Sequence, residues 1–181
     1  MAVRVRHHVN PLSRRYQQPA NIPDWSTVYA DWSRSLHVDI GCARGLFLFE
    51  MARQRPDWNF LGLEIRRPLV EQANELCREA GFDNLFFIFC NANISLADIL
   101  TTSPVDGVDY ATIQFPDPWF KKRHQKRRVV QPELVADLAL GIKPGGELLS
   151  QSDVEELAID MRDRIAEHSR FQATTPTWLA A

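Results

Sequence analysis

From Leu36 onward the chain alternates short apolar segments with longer amphipathic ones, and that alternation restricts the fold more than any other feature. Segments 36–40, 59–65, 85–90, 108–115 and 147–151 read as strands. Segments 46–53, 69–80, 95–100, 132–140 and 155–168 read as helices, with Ser95 as an N-cap and 171–175 as a further strand candidate. The run LFFIFC at 85–90 is almost continuously apolar, as in a strand buried on both faces. Strands and helices alternating at this interval specify an α/β fold, a Rossmann-like, doubly wound parallel sheet. In such a sheet ligands bind at the carboxyl ends of the strands, beside the point where the strand order reverses.

A chain of 181 residues, 45% hydrophobic, has the apolar content for one packed core and is too apolar for a disordered chain. We read residues 1–35 as a basic arm, interrupted by Pro11, Pro19 and Pro23, and 36–181 as a single domain. No run of 18 uncharged apolar residues offers a membrane span, and the N-terminus lacks the apolar stretch of a signal peptide. Cys42, Cys77 and Cys90 are odd in number and widely spaced, which fits neither a disulfide framework nor a zinc site, so a reducing cytoplasm is expected. No His/Cys/Asp cluster has metal-ligand spacing, so no metal is expected.

The net charge of −2 hides a sorted distribution. Residues 1–35 carry five arginines against Asp24 and Asp31, and residues 115–130 carry six cations against Asp117 alone. The rest of the chain is therefore strongly acidic, and the basic segments form a distinct face.

The first strand runs into Asp39-Ile40-Gly41-Cys42-Ala43-Arg44-Gly45, a glycine-containing turn that opens a helix. Glycines there let a ligand approach the backbone. A dinucleotide fingerprint needs G-x-G-x-x-G, and Ala43 stands at the middle glycine, which disfavours a nicotinamide cofactor. Asp39 is poorly suited to a phosphate and well suited to a cationic ligand such as the amino-acid end of S-adenosylmethionine (AdoMet). Glu64 ends the second strand, where a carboxylate can accept both ribose hydroxyls. Asn91 ends the third, where an amide can read an adenine edge. Each of the three is also an ordinary turn or cap residue when taken alone.

The fourth strand ends in Phe115-Pro116-Asp117-Pro118-Trp119. Two prolines fix the backbone around one carboxylate, which holds Asp117 ready to meet a substrate. Lys121, Lys122, Arg123, Lys126, Arg127 and Arg128 follow at once, so a polyanion lying on them would deliver a base to Asp117. Trp119 or Phe120 is then a candidate stacking surface.

These residues resemble the tRNA (guanine-N7)-methyltransferase family of class I AdoMet-dependent methyltransferases. The resemblance rests on DIGCARG (39–45), GLEIRRP (62–68), Asn91-Ala92 and FPDPWFKKRHQKRR (115–128), and RVRHHVNPLS (4–13) is similar to cyanobacterial and plastid members. It implies AdoMet as cofactor, tRNA as partner, and methylation at N7 of guanosine-46 in the variable loop. It further implies Asp39, Gly41, Gly45, Glu64, Asn91 and Asp117 at the cofactor, Asp117 as the active-site carboxylate, and Lys121, Arg123 and Asp153 toward the substrate. The family usually carries Glu where this chain has Asp39. The family pattern continues with a T-x-x-E element and a final antiparallel strand; neither occurs in these residues, so the sheet is expected to lack its last strand. The alternatives are a non-catalytic RNA-binding relative, or an AdoMet methyltransferase acting on another nucleic acid or a protein. Neither a membrane nor a metal is called for, and a monomer or homodimer fits equally.

Overall fold

The computed structural model of the chain describes residues 8–174. Arg4, Arg6 and His7 of the arm and Thr175 of the last strand candidate lie outside the described residues. Five strands, β1 (Ser35–Ile40), β2 (Trp58–Glu64), β3 (Leu85–Phe89), β4 (Val108–Gln114) and β5 (Ile142–Gln151), form one sheet in the order β3-β2-β1-β4-β5. All four pairings are parallel, as the alternation predicts. The chain moves outward from β1 to β3, then returns to β4 on the other side of β1. The order therefore reverses between β1 and β4, which is where the site is expected.

Helices α1 (Leu46–Gln54) and α2 (Arg67–Ala80) cover one face, where Leu48, Phe49, Ala52, Val70, Ala73 and Cys77 pack on Phe60, Leu85 and Phe87. Helices α3 (Ala92–Thr102), α4 (Pro132–Gly141) and α5 (Glu155–Ala166) cover the other, through Leu96, Ile99, Leu134, Val135, Leu138, Leu157 and Met161. Alternation along β1 divides its side chains between the faces: Leu36, Val38 and Ile40 enter the second core, while His37 and Asp39 point the other way. A polar pair is thus buried beneath α1, and Asp39 becomes the inner end of the site.

Most element boundaries fall within two residues of the sequence reading; three features differ more. Helix α3 begins at Ala92 with Asn91 as its N-cap, not at Ser95. The Asn91 side chain accepts from Asn93 N, and fully buried Ser95 instead accepts from the Ala20 amide at 2.9 Å. Strand β5 begins at Ile142 rather than Glu147, with Pro144, Gly145 and Gly146, which read as a loop, inside it. Proline is tolerated there since β5 is the outermost strand among the described residues, and the register shifts between Val108 and Tyr110 opposite it. Residues 171–174 are not a strand.

Among its described residues the arm has two 3-10 turns, Arg14–Tyr16 and Trp25–Thr27, yet it is packed. Tyr16, Val28 and Tyr29 are buried, and the Tyr29 hydroxyl donates to Phe60 O at 2.8 Å. Aromatic anchoring therefore replaces regular structure in this segment. Among the described residues no helix is long and apolar enough to cross a membrane.

Gly62, in the centre of β2, leaves the space that the Phe87 ring fills; a Cβ there would overlap that ring and stand 2.8 Å from Cys42 Sγ. Gly62→Ala should therefore destabilise the fold by about 1–3 kcal/mol through overpacking. Thermal unfolding checks this, and an unchanged Tm would mean Phe87 repacks freely.

Candidate active site

The site is assembled from the carboxyl ends of β1, β2, β3 and β4. Beyond β1 the chain adopts left-handed backbone at Gly41 (φ 82°), Ala43 (φ 53°) and Gly45 (φ 73°). Gly45 is required twice over, by its positive φ and because a Cβ would enter the Phe87 ring. Ala43 holds this conformation with a side chain, at a cost of about 1–2 kcal/mol. The loop is tied to β2 at every turn: Gly41 N and Cys42 N both donate to Leu63 O, and Ala43 N donates to Glu64 Oε2 at 2.9 Å.

Glu64 is 2% exposed. Besides Ala43 N it accepts from Arg66 N, Arg66 Nε and Arg66 Nη2, each at 2.9 Å, so its buried charge is fully met from within the chain. The guanidinium of Arg66 lies within electrostatic range of Asp117 as well, and its pKa is raised, chiefly by the Glu64 bonds. Asn91 caps α3 with its oxygen, and its amide donates to Pro11 O at 3.3 Å and Tyr16 O at 3.2 Å. The amide expected to read a base therefore holds the arm in this conformation.

Asp39 is 3% exposed and receives Thr112 Oγ1 at 2.6 Å and Gln114 Nε2 at 3.4 Å, both at Oδ1. Burial raises its pKa, the two donors oppose that, and nearby Glu64 adds to it. His37 Nε2 lies 3.0 Å from Thr112 Oγ1.

After β4 the backbone is again left-handed at Phe115 (φ 47°) and Trp119 (φ 44°), on either side of Asp117. Three non-glycine residues with positive φ occur among the described residues, and all three flank this site. The Pro-Asp-Pro loop is anchored by Arg128, which is 4% exposed, donates through Nε to Pro118 O at 2.9 Å, and pairs with Glu156 and Asp160 of α5. The basic run is therefore not one solvated face of six cations. Arg128 is structural, and half-buried Arg127 lies over the Trp119 ring at 4.9 Å. Lys121, Lys122, Arg123 and Lys126 are exposed, the last three on the 3-10 turn Lys122–Arg127. Asp153 is exposed just beyond β5. Asp117 is itself bonded to the arm: His8 Nδ1 lies 2.6 Å from its Oδ1, and the His8 ring meets Trp119 edge-on.

A cavity of about 160 Å³ lies between these elements, with Gly41, Glu64, Asn91 and Asp117 in its wall together with Arg66, Trp119 and the arm residues Val9 and Pro11. Asp39, Gly45, Lys121, Arg123 and Asp153 lie outside that wall. Small-molecule sites run to roughly 300 Å³ and above, so a nucleoside ligand must displace what narrows this one, namely the arm or Arg66. Sequence reasoning missed His8, Arg66, the His37–Thr112 pair and the inward turn of Arg128. Only Arg66 carried a local signal, two residues beyond a strand-end carboxylate. Among the described residues no His/Cys/Asp/Glu group could hold a metal ion.

Residues 33–181 match a family model described as "Putative methyltransferase". A tRNA (guanine-N(7)-)-methyltransferase of Synechococcus elongatus is 55% identical over 177 residues, covering 98% of this chain and 83% of that protein. The protein of that name from a Synechocystis species is 56% identical over 179 residues, 98% of this chain and 84% of its own. The fold is also that of a precorrin-6y C5,15-methyltransferase from Geobacter metallireducens, with a TM-score of 0.56 at 12% identity over 80% of this chain and 66% of that one. The [4+2]-cyclase SpnF gives 0.54 at 15% identity over 79% and 54%. Fold likeness at this level spans more than one chemistry and carries no activity.

Burial pushes the His37 imidazole down from 6.5 to about 4. As pH falls the unfolded chain takes up this proton before the folded one. The stability tied to a neutral His37 is complete above about pH 6.5 and is lost progressively toward pH 4, by up to about 3 kcal/mol. His37→Gln should flatten denaturant-measured stability across that window. An identical pH slope in the variant would show that other groups set it.

Proposed function

Because the chain belongs to the tRNA (guanine-N7)-methyltransferase family, we propose that it transfers a methyl group from AdoMet to N7 of guanosine-46 in the tRNA variable loop. The observation that carries this reading is the setting of Asp117. It stands in the cavity wall between two strained residues, on a loop clamped by Arg128, next to a row of exposed cations.

The residues present fit the cofactor by the chemistry of their donor set. Glu64, with the guanidinium of Arg66 as its present partner, matches a pair of ribose hydroxyls. Asp39, buried and with an oxygen to spare, matches the ligand's ammonium. Gly41 and Gly45 shape the loop between them, and Asn91 stands where an adenine edge would come once its amide leaves the arm. When bound, the cofactor supplies an electrophilic methyl group to a nucleophile in line with it.

Guanine N7 carries an in-plane lone pair, so no side chain has to remove a proton there. The chain's contribution is alignment and charge. Asp117 accepts from guanine N1–H and N2–H, which fixes the ring, and its negative charge favours the cationic purine that forms. The bond from His8 already occupies Asp117, so the incoming base takes over a position that an imidazole holds. Lys121 and Arg123 hold phosphates, and Asp153 approaches the substrate from the end of β5.

Incubation with AdoMet and tRNA, then borohydride–aniline treatment, should cleave the tRNA at the variable-loop guanosine. Methyl transfer to DNA or protein instead of tRNA would overturn the substrate. Asp117→Ala should lower kcat by about a hundredfold or more with AdoMet affinity nearly unchanged, and unaltered turnover would remove Asp117 from the chemistry. Lys121→Ala combined with Arg123→Ala should reduce the slope of log affinity against log salt by about one to two. If the slope holds, those cations are only a solvated face.

A further inference from the structure

Asp39 has an oxygen that the chain leaves without a partner. Both donors that reach it, Thr112 Oγ1 and Gln114 Nε2, converge on Oδ1. Oδ2 has no hydrogen-bond partner among the described residues, although the residue is 3% exposed. Oδ2 is therefore not sealed off but reachable from solvent, which leaves it open to a cationic or hydrogen-bond-donating ligand.

The two donors arise directly from the sheet. Thr112 is the β4 residue in register with Asp39 of β1, and His37, two residues earlier on β1, shares their face. His37 is 1% exposed and Thr112 fully buried, and the His37 ring is enclosed edge-on by Phe47 and Tyr110. The proton directions follow from valence. A carboxylate oxygen shared by two donors accepts, so the single hydroxyl proton of Thr112 goes to Asp39. The Thr112 oxygen must then accept from His37, which fixes the neutral tautomer protonated at Nε2. The chain reads His37 Nε2–H to Thr112 Oγ1 at 3.0 Å, then Thr112 O–H to Asp39 Oδ1 at 2.6 Å.

We propose that His37 and Thr112 are positioning residues for the cofactor, a buried relay that turns the Asp39 carboxylate so that Oδ2 is presented to the ammonium of AdoMet. This rests on the reading of Asp39 as a cofactor residue. The relay acts on one end of the ligand only. An Asp side chain has only one χ1–χ2 pair, so it presents one oxygen correctly only if the other is held.

The test is a set of calorimetric titrations on the full chain with two ligands, AdoMet and 5′-methylthioadenosine, which lacks the amino-acid end. His37→Leu and Thr112→Val should each weaken AdoMet about tenfold, the effect of one buried hydrogen bond. Both should leave 5′-methylthioadenosine within about twofold, which a general loosening of the fold would not do. His37→Gln, which keeps an N–H donor, and Thr112→Ser, which keeps the hydroxyl, should recover most of the affinity. They also serve if the larger changes unfold the chain. The KM for AdoMet should rise with kcat nearly constant. Asp39→Asn separates the two layers of the argument. If it weakens AdoMet while His37→Leu and Thr112→Val do not, the relay is wrong and the Asp39 assignment stands. If it leaves AdoMet unaffected, the Asp39 assignment falls and the relay with it. Equal weakening of both ligands would make His37 and Thr112 structural and nothing more.

Discussion

Two carboxylates, Asp39 and Glu64, are buried at the ends of adjacent strands, within reach of each other's field, and the surrounding structure is organised around meeting them. Neither tolerates burial without donors. Glu64 is met by the Ala43 amide and by Arg66, which draws the glycine loop down onto β2 and folds the start of α2 back over the strand end. Asp39 is met from β4 by Thr112 and Gln114. The sheet's register is therefore also the site's geometry: the pairing of Asp39 with Thr112 on one side and Gly62 on the other sets both the donor and the space.

A second organising contact is Arg128, which ties the Pro118 carbonyl to Glu156 and Asp160. It joins the active-site loop to α5, an element that follows it by almost thirty residues. The strain at Phe115 and Trp119 persists because this clamp and the two prolines hold both ends of the loop. The arm completes the enclosure. Its carbonyls at Pro11 and Tyr16 engage Asn91, and His8 engages Asp117. Glu64, Asn91 and Asp117, expected to face cofactor and substrate, are thus engaged internally, and binding there exchanges one set of partners for another.

The order of strands and helices was legible because each element carries its own period and punctuation: the glycines after β1, the apolar run of β3, the prolines at α2 and α4. The strand-end residues Asp39, Glu64, Asn91 and Asp117 were legible for the same reason, since a parallel sheet delivers strand termini to one edge. Ser95 is not the helix start because Asn91 caps earlier, and β5 reads short because Pro144-Gly145-Gly146 imitates a loop on an outer strand. The six-cation run reads as uniform, yet Arg128 turns inward, since nothing in a charge sequence tells which cation finds a carboxylate on a later helix.

The sequence by itself determined the sheet, its reversal point, and which residues end its strands, because these depend on local periodicity and on residues a few positions apart. Only the tertiary structure decided who partners whom. His8 with Asp117, Asn91 with the arm, and Thr112 with Asp39 join residues 73 to 109 positions apart. Such contacts are chosen by the competition among buried polar groups for donors, and that competition exists only once the chain has brought them out of water together.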